Sequence, residues 1–244
     1  MRIAVAGGTG TVGAHLVRLG EAAGHEVRIL SRATGTDLTT GAGLDLAGVH
    51  AVVDVSGPDT VSAGRSRSFF EAVTTQLIRA EERARVRHHV ALSIVGAAEH
   101  PHGYYAGKAL QERLLAGSPV AWTVQRTTQF FEFAEQKAVR LGPWAVLPLL
   151  RCRPIAAATA AERLLRLAEG EGAGVVRDLA GPEELRMAEV GRRCFARRGD
   201  RRRVVELPLP GAMGTAFRDG SLLPGADAEQ AGPTLAEWLD ERTR

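Results

Sequence analysis

Seven residues near the start of the chain constrain it most. Gly7-Gly8-Thr9-Gly10-Thr11-Val12-Gly13 fits the pattern G-x-x-G-x-x-G, between the β-prone run Ile3 to Ala6 and an amphipathic stretch from about Thr11 to Ala23. Glycine is needed where a chain turns sharply, where backbone approaches a phosphate, and where a helix packs closely on a strand. A helix that begins at such a turn offers free N–H groups to a pyrophosphate. The order strand, glycine turn, helix therefore predicts a dinucleotide seat at Gly7, Thr9, Gly10, Thr11, Val12 and Gly13.

The rest of the first half supports a parallel sheet covered by helices. Glu26 to Leu30 reads as a second strand, Thr36 to Leu38 as a short third, and Ala51 to Val55 as a fourth ending in Ser56, Gly57 and Pro58. Phe69 to Arg85 is helical by its apolar spacing, Val90 to Val95 a fifth strand, Tyr104 to Leu115 a helix and Val120 to Gln125 a sixth strand. After Thr127 the rhythm changes: Phe130, Phe131 and Phe133 open a helix, and Gly142, Pro143 and Pro148 mark an irregular stretch. Further elements are expected at Ile155 to Ala168, Val175 to Leu179, Met187 to Ala196 and Val204 to Leu207, with a last helix after Pro233 and Thr234. The expected fold is α/β: a Rossmann doubly wound parallel sheet with a small C-terminal α+β substrate cap. The dinucleotide domain is expected at residues 1–126 and the cap, interleaved with the sheet edge, at 127–244.

Composition narrows the class. With 244 residues, 45% hydrophobic and 24% charged, the chain is neither disordered nor fibrous. It has no apolar run long enough for a membrane span, no signal-like start, and only Cys152 and Cys194, without metal-ligand spacing. A cytoplasmic protein is expected, with a small-molecule substrate, no nucleic acid, no membrane and no metal, as monomer or homodimer. The arginine cluster at 192, 193, 197, 198 and 201–203 reads as a solvated helix face and turn, with a nucleic-acid surface as its alternative.

Two further features carry chemistry. Proteins that choose NAD place an acidic residue at the end of the second strand, whereas this chain has Ser31-Arg32 there. An arginine suits a 2′-phosphate, so NADP(H) is the expected cofactor. Tyr104 and Lys108 stand four apart at the start of a helix, hence on one face, in a chain whose only other lysine is Lys137. A nearby ammonium stabilises a phenolate, so the spacing predicts a lowered tyrosine pKa and a general acid or base.

The stretches AVAGGTGTVG, VRILSR, DLTTGAGL, AVVDVSG, VRHHVALSIVG, GYYAGK, RTTQFFEFA, DLAGPE and GPTLAEWL make the chain similar to atypical short-chain dehydrogenase/reductases. It resembles most the NmrA-like NAD(P)-binding oxidoreductases of high-GC actinobacteria. The resemblance implies pyrophosphate binding by Gly7, Gly10 and Gly13, and an adenosine-phosphate contact at Arg32 beside Ser31. It also implies that Asp37 and Leu38 lie beside adenine and Ser56 and Gly57 along the ribose. Tyr104 is implied as proton-transfer group, Lys108 as its tuning and ribose-binding partner, and Ser93 as the residue that orients a substrate oxygen. The sequence contains no asparagine, so the asparagine of the family's four-residue set is missing, and Gln76 is its nearest substitute.

These features point to an NADPH-dependent oxidoreductase that reduces a carbonyl or conjugated double bond of a small apolar substrate, aromatic or polyketide-like in the fullest version of this reading. Phe130, Phe131, Phe133 and Trp144 form either an apolar substrate wall or the core of the cap. The alternatives are a non-catalytic NADP(H)-binding redox sensor and a redox-neutral epimerase or cyclase on the same fold.

Overall fold

In a computed structural model that describes residues 1–242, the run Ile3 to Ala6 is buried without remainder inside the first strand. In chain order the elements are β1 (Arg2–Ala6), α1 (Thr11–Ala22), β2 (Glu26–Leu30), a 3-10 turn (Arg32–Thr34), β3 (Ala51–Asp54), α2 (Ala63–Ala84), β4 (His88–Ile94), α3 (Tyr105–Ala116) and β5 (Trp122–Thr127). There follow α4 (Phe131–Gln136), β6 (Val139–Leu141), β7 (Trp144–Pro148), β8 (Arg151–Cys152), α5 (Ala157–Ala168), β9 (Gly174–Val175) and β10 (Leu179–Ala180). The last are β11 (Leu185–Arg186), α6 (Met187–Arg197), β12 (Arg203–Leu207), α7 (Gly211–Asp219), β13 (Glu229–Gln230) and α8 (Leu235–Glu241).

The chain divides into two compact units, one of residues 1–126 with 160–176, the other of residues 127–159 with 177 onward. In the first unit the strand order is β2-β1-β3-β4-β5, with β9 beside β5. β1 pairs in parallel with both β2 and β3, so the order reverses at β1 and leaves a crevice beyond the carboxyl ends of β1 and β3. Ala4, Ala6, Leu30 and Val52 pack with Val73, Leu77 and Ala80 of α2. Ile3 and Val5 point the other way by the two-residue period of a strand and are equally buried, so helices cover both faces. On α1, a Cβ at Gly20 would meet Val27 and Leu165, which places the end of α5 beside it.

In the second unit β10 pairs with Thr127 and β13 with β10, all in parallel, while β12, β7 and β6 form a separate small sheet. Its core gathers Phe131, Leu147, Leu150, Met187, Phe195 and Trp238. Phe131 lies in that core and Phe133 packs against it, so these two aromatics fill the unit; Trp144 stays 42% exposed under Arg203. Within the arginine cluster, Arg197 pairs with Asp240, Arg198 with Glu135 and Arg202 with Asp200. Among the described residues no helix is long and apolar enough to cross a membrane.

Three expectations need correction. Thr36 to Leu38 is no strand; Asp37 makes a single antiparallel bridge to Ala42, because its carboxylate folds the chain back through the Thr39 N–H. The stretch around Gly142 and Pro143 is a hairpin of β6 and β7, since Gly142, at φ +53°, supplies the turn that right-twisted strands require. Val175 to Leu179 is broken into β9 and β10, and α7 is a helix not anticipated from the sequence.

Helices α2 and α3 approach closely at Gly107. A Cβ there would overlap Ser66 Oγ and the Phe70 ring and lie 2.6 Å from the Ser66 carbonyl oxygen. Gly107→Ala is therefore expected to destabilise the protein by about 1–3 kcal/mol, measured by urea unfolding, although alanine is the better helix former. Unchanged stability would contradict this packing.

Candidate active site

The glycine turn is built as its spacing requires. Gly7 leaves β1 at φ +82°, donates its N–H to the Leu30 carbonyl at 3.0 Å and accepts from Gly10 N at 2.9 Å. A Cβ on Gly7 would lie 2.9 Å from Ser56 N and Cα, so the turn presses against the residues that follow β3. A Cβ on Gly13 would strike the Gly7 carbonyl oxygen and come within 2.7 Å of Gly8 Cα. Helix α1 begins at Gly10 with no side-chain cap and no acidic residue in its first turn. Its first N–H groups thus keep their partial positive charge for an anion. Thr9 and Gly10 are exposed, Thr11 is half-buried, and Val12 and Gly13 are buried.

On one side of this turn lies the end of β2. Ser31 is buried and its N–H donates to Thr34 Oγ1 at 3.1 Å, which starts the 3-10 turn and leaves Arg32 exposed. Asp37 accepts from Thr39 Oγ1 at 2.6 Å and Thr39 N at 2.9 Å, and these bonds hold its carboxyl below the usual range. The Leu38 side chain belongs to the core under α2 rather than to the surface. Gln76 sits beneath this same loop, where a Cβ on Gly41 would be 2.9 Å from its Oε1. That corrects its expected role. Ser66, ten residues or about 15 Å earlier along α2, is the residue that meets Tyr104, donating its hydroxyl to the Tyr104 carbonyl at 2.7 Å.

On the other side lie Ser56, Gly57 and Tyr104. Ser56 is buried, its N–H held by Asp54 Oδ1 at 2.9 Å and its Oγ without a partner. Gly57 is exposed and has no room for a side chain, because the Tyr104 hydroxyl occupies that place and its Cζ would be 3.4 Å away. Tyr104 caps α3 from helical φ and ψ, half-buried, with its ring edge-to-face on Phe70 at 5.6 Å. Its hydroxyl thus stands beside the end of β3, the strand end that also backs the glycine turn.

The electrostatics differ from the expectation. Burial, then the Asp54 carboxylate and Tyr105, push the Tyr104 phenol well above its ordinary value. The predicted lowering by Lys108 fails because the ammonium is turned inward. Lys108 is 3% exposed, donates to the Leu92 carbonyl at 2.6 Å and Gln111 Oε1 at 2.9 Å, and stands 4.4 Å above the Phe70 ring. Burial pulls Lys108 down to about 8, against the opposing charges of Asp54 and Glu112. Ser93 is likewise turned away from any open surface: it is fully buried and gives its proton to Glu112 Oε1 at 2.5 Å. Glu112 in turn grips Arg126 at 2.6 Å. With its one donor committed to this carboxylate, Ser93 keeps only acceptor lone pairs for any other group. Sequence reasoning missed Asp54, Ser66 and Gln111; the Lys108–Gln111 spacing of three residues was the available signal, since it puts both on one helix face.

Neither a protein-family model nor a curated protein matches this sequence. The fold is nevertheless shared with solved structures. A UDP-galactose 4-epimerase superposes with a TM-score of 0.66 at 17% identity, covering 93% of this chain and 95% of that one. An NAD-dependent NDP-hexosamine 5,6-dehydratase involved in tunicamycin biosynthesis gives 0.71 at 16%, covering 100% and 98%. A short-chain dehydrogenase/reductase superfamily protein from Agrobacterium tumefaciens, with bound NAD, gives 0.67 at 17%, covering 99% and 95%. The chain is thus similar in fold to short-chain dehydrogenase/reductases: a Rossmann-type parallel sheet with flanking helices.

The turn geometry sets a direct test. Gly13→Val should abolish dinucleotide binding or prevent folding, since the obstacle is backbone of the turn itself and cannot rotate away. A variant that melts at the native temperature and binds NADPH with native affinity by fluorescence titration would disprove the turn as the seat.

Proposed function

We propose that the protein is an NADPH-dependent oxidoreductase of the short-chain dehydrogenase/reductase type, acting on a carbonyl or conjugated double bond of a small apolar molecule. The observation that carries this reading is the convergence of the Gly7–Gly13 cradle, the buried unpartnered Ser56 Oγ and the Tyr104 hydroxyl at the ends of β1 and β3. A nicotinamide dinucleotide, when bound, supplies the hydride chemistry. The chain's own residues do the rest. The first turn of α1 receives the pyrophosphate, Arg32 takes the 2′-phosphate, and Ser56 and Gly57 line the ribose side. Tyr104 is a neutral phenol at neutral pH, and in this reading it is the group that donates the proton. Lys108 is the nearby cation, and the second unit, residues 127–159 with 177 onward, is assigned to the substrate in place of the whole of 127–244.

One observation favours a second reading, a non-catalytic NADP(H) sensor. Lys108 and Ser93 both spend hydrogen bonds on internal partners, Leu92 and Gln111 for one and Glu112 for the other. The two readings share the cofactor seat and differ in whether Tyr104 matters. The epimerases and the dehydratase among the similar folds keep redox-neutral chemistry as a variant of the first reading.

The cofactor preference rests on Arg32, which is exposed and whose guanidinium makes no hydrogen bond or ion pair with other described residues. NADPH should bind more tightly than NADH, and Arg32→Ala should lose most of that preference. A charge-assisted phosphate contact is worth about 1.5–3 kcal/mol, or roughly ten- to a hundredfold in Kd. Equal native affinities in a fluorescence titration would reject NADP(H) in favour of NAD.

For the chemistry, purified protein and NADPH would be screened against aromatic ketones and quinones. On any substrate found, Tyr104→Phe should leave NADPH affinity nearly unchanged and lower turnover by roughly 10²–10⁴-fold, whereas Tyr105→Phe should stay within a few-fold of native. Full activity in Tyr104→Phe would end the tyrosine mechanism; NADPH binding without any turnover moves the sensor reading ahead.

A further inference from the structure

Behind the crevice lies a line of buried polar groups that the reading above does not use. Asp54 closes β3 and is wholly buried. Its Oδ1 accepts from Ser56 N at 2.9 Å and its Oδ2 from Gln111 Nε2 at 2.7 Å. Gln111, also wholly buried, accepts through Oε1 from Lys108 Nζ at 2.9 Å, and Lys108 donates again to the Leu92 carbonyl at 2.6 Å. An ammonium only donates and an ionised carboxylate only accepts, so a single orientation of the Gln111 amide satisfies both neighbours. Flipped, it would set N–H against N–H at Lys108 and oxygen against oxygen at Asp54. The amide is therefore a directional connector between a buried cation and a buried anion.

We propose that Gln111 is a positioning residue: its amide aims Lys108 Nζ at the Leu92 carbonyl, keeps it an ammonium inside the protein, and links it through Asp54 to Ser56 at the crevice. The inference goes beyond the oxidoreductase reading. It stands on geometry that is independent of any cofactor. The titratable and charged groups around Lys108 are Asp54 from β3, Glu112 on its own helix, and His89 from β4 with its partner Glu81 on α2. From α2 the Phe70 ring completes the shell. Burial opposes the ammonium and Asp54 and Glu112 favour it, so a hydrogen-bond acceptor on Lys108 shifts the balance measurably. Removing the amide oxygen leaves the ammonium with one fewer acceptor in a site that water does not reach.

The chain's lysine count makes the test clean. Only Lys108 and Lys137 are present, so protein labelled with 13Cε,15Nζ-lysine shows two side-chain signals, and Lys137→Arg assigns them. Native Lys108 is expected to titrate near 8. Gln111→Met, of similar volume but without the amide, should lower that midpoint by about one unit or more. Gln111→Glu restores an acceptor oxygen and should return the midpoint to the native value or above it. A merely structural glutamine would change the melting temperature in both variants and leave the midpoint within a few tenths of native, which would overturn the proposal. If Gln111→Met does not fold, Gln111→Asn decides in its place, because its amide is one methylene too short to reach both Lys108 and Asp54: a midpoint about one unit or more below native supports the proposal, and one within a few tenths of native overturns it. NADPH titration of the native protein, run in parallel, separates the two levels. Failure to bind would overturn the cofactor reading and leave the Lys108 titration intact.

Discussion

Gly13 lies so close to Gly7, and Gly7 to Ser56, that no side chain fits at either position, and the rest of the first unit is arranged around that approach. Because the turn is tight, α1 starts immediately beyond β1 with its first N–H groups facing the strand ends. The strand order reverses at β1, so β2 and β3 diverge there and the turn sits at the mouth of the crevice. The residues that finish β2 and β3, Ser31 and Arg32 on one side and Ser56 and Gly57 on the other, therefore flank the turn. Tyr104 joins them from α3 because α2 and α3 touch through Gly107, which lowers α3 onto α2 until the tyrosine hydroxyl reaches Gly57.

The second organising force is charge taken out of water. Lys108, Asp54, Glu112, Glu81 and His89 are all buried near the middle strands, and each is paired or hydrogen-bonded. An isolated buried charge costs several kcal/mol, so such groups persist only in satisfied networks, and a network fixes directions as well as energies. Gln111 turns Lys108 away from Tyr104, and Glu112 turns Ser93 away from the surface. Burial first, and then the Asp54 carboxylate and Tyr105, hold the tyrosine's proton more tightly than in water. The same arrangement keeps Tyr104 a neutral phenol at neutral pH and a weaker proton donor than a free tyrosine. Reduction and sensing both remain compatible with it, and they part only at turnover.

Much of the site was legible in the chain itself. A glycine pattern between an apolar run and an amphipathic stretch encodes its own geometry, because the steric reason for glycine is local: Gly7 needs positive φ, and Gly13 meets backbone only six residues away. The alternation of strands and helices through Gln125, the arginine after β2 and the shared face of Tyr104 and Lys108 follow from the same short-range rules. The bridge at Asp37, the hairpin at Gly142 and the split strand at Val175 were not legible. A turn residue there announces a break in regular structure without saying what the chain pairs with next.

Direction and protonation belonged to tertiary structure alone. Spacing put Lys108 on the face of Tyr104, but the ammonium chose the Leu92 carbonyl, which the packing of α3 on β4 supplies, together with Gln111 three residues on along its own helix. Gln111 is answered by Asp54, 57 positions distant in the chain, and Ser93 by Glu112, 19 positions away. Periodicity tells which face a residue occupies within one element. Which long-range neighbour a buried polar group finds, and how far burial then moves its pKa, is decided only when the elements close around it and exclude the water that would otherwise have satisfied it.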